Sequence, residues 1–198
     1  MLEAAHEAKN LGIDVVAGYI EPHPRKETSE LISGLEVLKP IEINHKGIIL
    51  KEFDLDAALK RKPQLILVDE LAHSNPKECR HIKRYQDIEE LLQAGIDVYT
   101  TVNVQHIESL NDIVSSITGV IVRERIPDSV FDNATQVELV DIEPDDLITR
   151  LNKGKIYKED QVEKALGNFF VKENLVALRE IALRRTADRV NKISENLF

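Results

Sequence analysis

The sequence lacks several features that mark whole classes of protein. Cys79 is its single cysteine, which excludes an intrachain disulfide and fits a reducing compartment. No apolar run approaches the length of a membrane span, and the first residues do not form a signal-peptide pattern. Internal repeats and low-complexity tracts are absent too. These residues therefore do not belong to a disulfide-rich secreted scaffold, a repeat array or a membrane-spanning segment.

An excess of positive charge is also missing. The chain contains 26 lysines and arginines against 35 aspartates and glutamates, a formal net charge of -9. Binding along a nucleic-acid backbone requires a positive field over a broad surface. We therefore predict no nucleic-acid partner.

The length and composition favour one globular domain with an appendage. With 198 residues, 42% of them hydrophobic and 31% charged, the chain is typical of a soluble protein that buries a substantial core. Strand and helix patterns alternate over residues 1–142, which predicts an α/β domain. Pro144 then opens a helical pattern with no further strands, so residues 143–198 predict a helical C-terminal appendage.

The alternation of buried apolar runs with helical patterns predicts a mainly parallel sheet flanked by helices. Gly12 and Gly95 should end two helices, and Asp54 should cap the start of a third. Inward positions include Ile88, Leu91 and Leu92 in one helix, and Leu175, Leu178, Ile181 and Leu183 in the last. The predicted strands are 13–20, 65–68, 96–103, 120–123 and 136–142, with a hairpin over 41–50; the predicted helices are 1–10, 28–38, 54–61, 85–94, 104–117, 144–152, 159–166 and 173–196.

The stretch from Pro63 to Asn75 is the most informative part of the chain. Four apolar residues, 65–68, predict a strand buried on both faces, and Asp69 and Glu70 follow it directly. This is a Walker B arrangement, in which the aspartate supports Mg²⁺ on a nucleotide phosphate and the glutamate orients a water. Glu70 is thus the candidate catalytic residue. Alternatively, the two acids only cap the next turn.

Other polar side chains are expected at the same edge of the sheet. Asn103, Gln105 and His106 follow the next predicted strand, and His73 follows Glu70 in the loop. Ligands bind at the carboxyl ends of parallel strands, so we predict a nucleotide and Mg²⁺ site formed by Asp69, Glu70, His73, Asn103, Gln105 and His106. Asn103 could instead cap the helix predicted over residues 104–117.

The first helical pattern lacks an N-cap and leads directly into a strand. That order is half of a strand–helix–strand unit, so we expect a strand and a turn upstream of Met1. In nucleotide-binding folds with a Walker B strand, this turn is the glycine-rich loop that holds the phosphates. The chain itself contains no Walker A motif.

Three further interpretations compete with the nucleotide site. His73, Cys79 and His81 carry groups that bind zinc, but they lack a fourth ligand and a recognised spacing, so we predict no metal beyond Mg²⁺ at Asp69. A receiver-like domain with Asp69 as phosphoacceptor needs an acidic pair and a lysine at other strand ends, and residues 18–21 and 141–144 supply neither. A nucleotide-independent interaction domain would use the C-terminal helices.

Four long runs carry a specific resemblance to a known family. They read VDELAHSN at 68–75, RHIKRYQD at 80–87, GIDVYTTVNVQHIESLND at 95–112 and LREIALRRTADRV at 178–190. Together they resemble the N-terminal cytoplasmic domain of KdpD, the membrane-bound sensor histidine kinase of the potassium and turgor two-component system. The likeness extends over almost the whole chain and is far more specific than the Walker B pattern.

The resemblance implies a P-loop NTPase-like domain at the cytoplasmic face of the membrane, which binds ATP with Mg²⁺ and modulates a distant kinase core. Its expected partners are the transmembrane and kinase-core domains of the same protein and, through that core, a response regulator; homodimerisation is left open. Family members carry a Walker A loop immediately before the helix that here begins the chain. A stand-alone ATPase or GTPase switch is the alternative, and whether the chain is an enzyme is left open.

We predict that this chain alone binds Mg²⁺–ATP weakly or not at all. Phosphate affinity in such folds comes mostly from loop N–H groups, the loop lysine and a helix N-terminus, none of which Asp69 replaces. An extended chain that includes the native residues upstream of Met1 should bind it. Calorimetric titration of both chains is the test, and equally tight binding by the short chain would place the nucleotide elsewhere.

Overall fold

The structure is a computed structural model that describes residues 1–22, 26–45, 47–152 and 169–195. The chain divides into two compact units, Met1–Val102 and Asn103–Phe198. This division lies earlier in the chain than the boundary that the composition predicts after residue 142. Among the described residues, no helix combines the length and the apolar character needed to cross a bilayer.

The first unit contains a four-stranded parallel sheet with the strand order β2 (Glu36–Val37), β1 (Val15–Tyr19), β5 (Leu65–Val68), β6 (Asp97–Thr100), and a separate antiparallel hairpin of β3 (Ile41–His45) and β4 (Ile48–Glu52). Because β1, β5 and β6 run in the same direction, their carboxyl ends lie at one edge of the sheet, as predicted. In chain order the elements are α1 (Leu2–Asn10), β1 (Val15–Tyr19), α2 (Lys26–Ile32), β2 (Glu36–Val37), β3 (Ile41–His45), β4 (Ile48–Glu52), α3 (Leu55–Arg61), β5 (Leu65–Val68), α4 (Arg84–Gln93) and β6 (Asp97–Thr100).

The two central strands are buried on both faces. Ala5 and Ala8 of α1 pack in one cluster with Val15 and Ala17 of β1 and with alternate residues of β5. Side chains alternate along a strand, so Val16 and its register partner Ile66 point to the other face, and both are fully buried. The uninterrupted apolar run of β5 is therefore explained by cover on both sides, as its sequence predicts.

Local signals position these elements. Gly12 and Gly95 have positive φ, and each follows the end of a helix. At each of these ends, two main-chain hydrogen bonds form a Schellman motif; after α1 they run from Ile13 N–H to Ala8 O and from Gly12 N–H to Lys9 O. The carboxylate of Asp54 accepts a hydrogen bond from Ala57 N–H at 2.9 Å and caps α3. These three sequence predictions are confirmed.

The second unit is built from helices and irregular segments in its described part. Its core includes Ile107, Val114, Ile126, Leu151 and Leu178, all buried. Helix α8 packs against α5, α7 and the first 3₁₀ turn. The elements are 3₁₀ turns Val104–His106 and Glu108–Leu110, then α5 (Asn111–Thr118), α6 (Asp128–Asp132), α7 (Pro144–Asn152) and α8 (Lys172–Glu195).

Two predicted strands do not form. Residues 120–123 and 136–142 have no regular secondary structure. The main-chain oxygen of Val122 accepts hydrogen bonds from the side chains of Asn111 at 2.9 Å and Arg125 at 3.1 Å, and not from a neighbouring strand. Val140 is 85% exposed, so alternation in its segment does not produce a buried face.

The helix predicted over residues 104–117 forms only from Asn111 onward, and the prediction for residues 104–110 is wrong. Ile107 has an extended backbone and forms a bridge with Ile126, which separates the two 3₁₀ turns and delays the α-helix until Asn111. The helix predicted over residues 28–38, with a break near Gly34, ends at Ile32. Gly34 has positive φ, and the residues after it do not resume the helix, because Glu36 and Val37 pair with β1 as an edge strand.

Some predicted inward positions face solvent. Ile88, Leu91, Leu175 and Leu178 are buried as expected, and Ile181 is partly buried. Leu92 and Leu183 are instead about half exposed, because each lies at the margin of its apolar stripe. The helix predicted over residues 159–166 lies outside the described residues.

We predict that Leu178→Asp destabilises the chain by about 3–5 kcal/mol, because it removes a buried side chain and buries an unpaired charge. Leu183→Asp on the same helix should change the free energy of unfolding by less than about 0.5 kcal/mol, since its side chain is half exposed. Urea denaturation of both variants checks this. Equal losses would contradict the burial of α8 described here.

Candidate functional site

The carboxylate of Asp69 lies where β1, β5 and β6 end. Its Oδ1 accepts hydrogen bonds from the Thr101 hydroxyl and from the Glu70 N–H, the latter at 3.1 Å. Its Oδ2 accepts a longer bond, 3.3 Å, from the Glu21 N–H. Glu21 follows β1 and Thr101 follows β6, so one carboxylate joins the chain after all three strands.

Glu70 occupies an unusual backbone conformation. Its φ is +59°, in the left-handed region that residues other than glycine rarely adopt. Its N–H lies between Asp69 Oδ1 and Thr101 Oγ1, 3.2 Å from the latter, and this pair of acceptors supports the turn. Partial burial raises the pKa of the Glu70 carboxyl, and the neighbouring charges of Glu21 and Asp69 raise it further.

Arg84 supports this turn from inside the protein. Its guanidinium is fully buried: Nη1 donates to the main-chain oxygen of Asp69 at 3.1 Å and Nη2 to Glu52 Oε2 at 2.9 Å. The guanidinium carbon lies 4.2 Å from the centre of the Tyr19 ring, a cation–π contact. Arg84 is the first residue of α4, and its charge is compensated inside the fold by Glu52.

His73 is in the first unit with Asp69 and Glu70. Its N–H donates to Glu70 O at 3.0 Å, and its Nε2 lies 3.1 Å from Glu52 Oε2. The imidazole thus joins the same buried carboxylate as Arg84. This arrangement gives His73 a supporting role beneath the turn.

The other candidates for a zinc site have different partners. His81 Nε2 bonds to Glu90 Oε2 at 2.7 Å, and burial raises the pKa of the Cys79 thiol to about 11, which disfavours the thiolate that binds metal. In the described ranges, no three His, Cys, Asp or Glu side chains form a group that could hold a metal ion.

Asn103, Gln105 and His106 belong to the second unit. Gln105 and His106 lie in the 3₁₀ turn that Asn103 precedes, and the Asn103 side chain makes no capping hydrogen bond, so its predicted capping role is wrong. His106 Nδ1 lies 2.8 Å from Glu124 O within the same unit. The convergence of these three residues with Asp69 stays a prediction.

Sequence reasoning missed Glu21, Glu52 and Thr101. Glu21 and Thr101 could have been found, since each is polar and follows a strand that ends at the predicted edge. Glu52 carries no such signal, because it ends a hairpin strand and reaches the site only through Arg84 and His73.

The oxygen ligands at Asp69 suit Mg²⁺. With a nucleotide, Mg²⁺ is commonly held by one or two carboxylates, with phosphate oxygens and water completing its shell. Asp69 supplies one carboxylate, and its Oδ2 has only the weaker contact with Glu21 N–H. When bound, the ion would supply positive charge next to the phosphates.

Comparison with known proteins identifies the family. The model of the family described as the osmosensitive K⁺ channel His kinase sensor domain, KdpD, matches residues 1–190. The chain belongs to this family.

Individual relatives agree with the assignment. The sensor protein KdpD of Clostridium acetobutylicum is 65% identical over 191 residues, which cover 96% of this chain and 21% of that protein. The sensor protein KdpD of Escherichia coli is 58% identical over 192 residues, covering 97% and 22%. A putative sensor protein KdpD of Synechocystis is 52% identical over 196 residues, covering 99% and 52%. The chain therefore spans about a fifth of the length of the first two relatives and about half of the third.

The raised pKa of Glu70 predicts a pH dependence of stability. A carboxyl with a raised pKa in the folded state favours folding when protonated, and this contribution is lost as the pH rises through that pKa. Glu70→Gln should therefore stabilise the chain at neutral pH, by less than about 1 kcal/mol because the side chain is half exposed.

Glu90→Gln is the matched control with the opposite sign. The hydrogen bond with His81 lowers the pKa of Glu90, and Arg80 lowers it further, so its ionised form stabilises the fold. This variant should be less stable at neutral pH, and its deficit should shrink as the pH falls through the lowered pKa of Glu90. Urea denaturation from pH 3 to 7 checks both, and the same sign in both variants would contradict the assignment.

Proposed function

We propose that this chain is the nucleotide-responsive sensor domain of a two-component sensor histidine kinase, placed at the cytoplasmic face of the membrane. In this proposal it binds ATP with Mg²⁺ at the edge that holds Asp69 and Glu70. Binding there modulates the kinase and phosphatase activities of the distant catalytic core. Membership of the KdpD family supports the sensor role.

The observation that carries the nucleotide proposal is the position of Asp69. It directly follows a central strand that is buried on both faces, and its carboxylate lies among the ends of three parallel strands. Ligands of open α/β sheets bind at this edge, and a Walker B aspartate takes this place in P-loop NTPases. The parallel sheet supports a P-loop NTPase-like fold.

The proposed partner domains are inferred from the greater length of the relatives. Since the chain spans about a fifth of two of them, the proposed partners are the transmembrane and kinase-core domains of the same protein. A response regulator would be reached through the kinase core.

Hydrolysis of the nucleotide is a second candidate, favoured by Glu70. A carboxyl with a raised pKa beside the proposed Mg²⁺ ligand is suited to orient and activate a water. Such a residue acts mainly in the transition state, so its loss should slow hydrolysis more than it weakens binding. The domain would then be an ATPase or GTPase switch.

The test compares three variants of the extended chain, in which the strand and loop expected upstream of Met1 are included. Asp69→Ala should weaken Mg²⁺–ATP binding at least about tenfold, because one ligand of the cation is lost. Glu70→Gln should leave binding within about twofold and slow any phosphate release. Asp97→Ala, at the opposite end of the sheet, is the control and should change neither.

Calorimetry measures the binding, and a phosphate-release assay measures the hydrolysis. If Asp69→Ala binds as tightly as the unchanged protein, the nucleotide site is not at this edge. If the unchanged extended chain binds no nucleotide, the nucleotide-independent interaction domain becomes the better description.

A further inference from the structure

The hairpin of β3 and β4, residues 41–52, forms a ribbon with two different ends. Near its tip, Ile48 and Ile49 are 65% and 64% exposed although consecutive side chains point to opposite faces, so both faces of the tip meet solvent. At its base Glu52 is buried, and Ile43, halfway along β3, is buried too. Among the described residues, the ribbon is therefore anchored at its base and middle, away from the exposed tip.

A buried charge network forms the anchor. Glu52 Oε2 accepts a hydrogen bond from Arg84 Nη2 at 2.9 Å and lies 3.1 Å from His73 Nε2. A buried carboxylate that loses its partner is costly, so the position of the ribbon base depends on the position of the Arg84 guanidinium.

The same guanidinium contacts the candidate nucleotide site. Its Nη1 donates to the main-chain oxygen of Asp69, and in the described part of the chain its Nε has no hydrogen-bond partner. The planar guanidinium fixes Nη1 and Nη2 relative to each other, so a displacement of the Asp69 oxygen is transmitted to Glu52.

The peptide group between Asp69 and Glu70 is held from both sides. Its carbonyl oxygen accepts from Arg84, while its N–H donates to Asp69 Oδ1 and lies near Thr101 Oγ1. The positive φ of Glu70 means that these bonds maintain a strained turn. Loss of the N–H acceptor leaves the peptide free to rotate toward a less strained conformation.

Cation coordination by Asp69 would weaken this hold. The negative charge of a carboxylate is shared by its two oxygens, so a cation at Oδ2 also makes Oδ1 a poorer hydrogen-bond acceptor, and the Glu70 N–H and the Thr101 hydroxyl lose part of their bond to Oδ1. The effect of the ligand then reaches the Asp69 carbonyl on the other side of the same peptide.

We propose that Arg84 couples the nucleotide site to the ribbon, so that occupancy at Asp69 loosens the base of the ribbon and changes the presentation of its Ile48 and Ile49 tip. This inference rests on the proposed function for its ligand, while the mechanical link from the Asp69–Glu70 peptide through Arg84 to Glu52 does not. Arg84 acts here as a positioning residue and not as a ligand.

Hydrogen exchange of the ribbon amides, residues 48–52, measures the link. Adding Mg²⁺–ATP to the extended chain should speed their exchange about fivefold, the effect of losing one hydrogen bond from the local opening equilibrium. Without nucleotide, Thr101→Val in the chain of 198 residues should give a change in the same direction, because it removes one acceptor for the Glu70 N–H. Amides of β1 should change in neither case.

The decisive variant replaces the buried ion pair by apolar side chains, Arg84→Met together with Glu52→Leu. Such replacements often preserve the fold, whereas a single change would leave an unpaired buried charge. In the double variant the ribbon should no longer respond to Thr101→Val, nor to Mg²⁺–ATP at a concentration that saturates that variant. Arg80→Met with Asp56→Asn removes an exposed ion pair of the same unit and should retain both responses.

Each outcome decides a separate point. If the nucleotide binds and the exchange rates of the ribbon amides do not change, the coupling is overturned. If the ribbon of the double variant responds as strongly as that of the unchanged protein, Arg84 does not carry the coupling. Absence of nucleotide binding overturns the proposed function alone, and Thr101→Val still decides the mechanical link. If Thr101→Val speeds exchange equally at β1 and at the ribbon, the effect is global and the proposal fails.

Discussion

A guanidinium group without exposed surface needs acceptors inside the protein, and Arg84 has two that belong to different parts of the first unit. One is the main-chain oxygen of Asp69 at the end of the central strand, and the other is the buried carboxylate of Glu52 at the end of the hairpin. Neither partner can be removed alone without leaving a charge or a polar group unpaired in the interior. The turn after β5 and the base of the hairpin are therefore held in one arrangement.

The Asp69 carboxylate has a complementary task on the other side of that turn. Its two oxygens accept hydrogen bonds from Glu21, Glu70 and Thr101, which follow β1, β5 and β6. These bonds fix the positions of the three residues at the edge of the sheet. A carboxylate with such a structural role is also preorganised as a ligand, because its orientation is already restricted before a cation arrives. Structural and functional roles of Asp69 are thus compatible.

Family membership and site geometry support different parts of the functional proposal. The KdpD assignment rests on identity along nearly the whole chain and bears on the sensor role. The geometry supports the proposed nucleotide binding. Asp69 lies at the end of a buried parallel strand, and its neighbour Glu70 has a strained backbone and a carboxyl with a raised pKa. Functional sites commonly combine perturbed carboxyls with backbone strain, which supports the proposal of a ligand site at this turn.

The sequence by itself determined the elements whose signals are local. The unbroken apolar run before Asp69 predicts a central strand, Gly12 and Gly95 end helices because they adopt positive φ, and Asp54 caps a helix through its own side chain. The proposal for Asp69 and Glu70 has the same origin, since it depends on the strand immediately before them. Only the tertiary structure decided the rest. The segments at 120–123 and 136–142 have strand-like apolar patterns but no partner strand in the described part of the chain. Glu52, Thr101 and the buried position of Arg84 depend on contacts between residues distant in the chain, which no local pattern records.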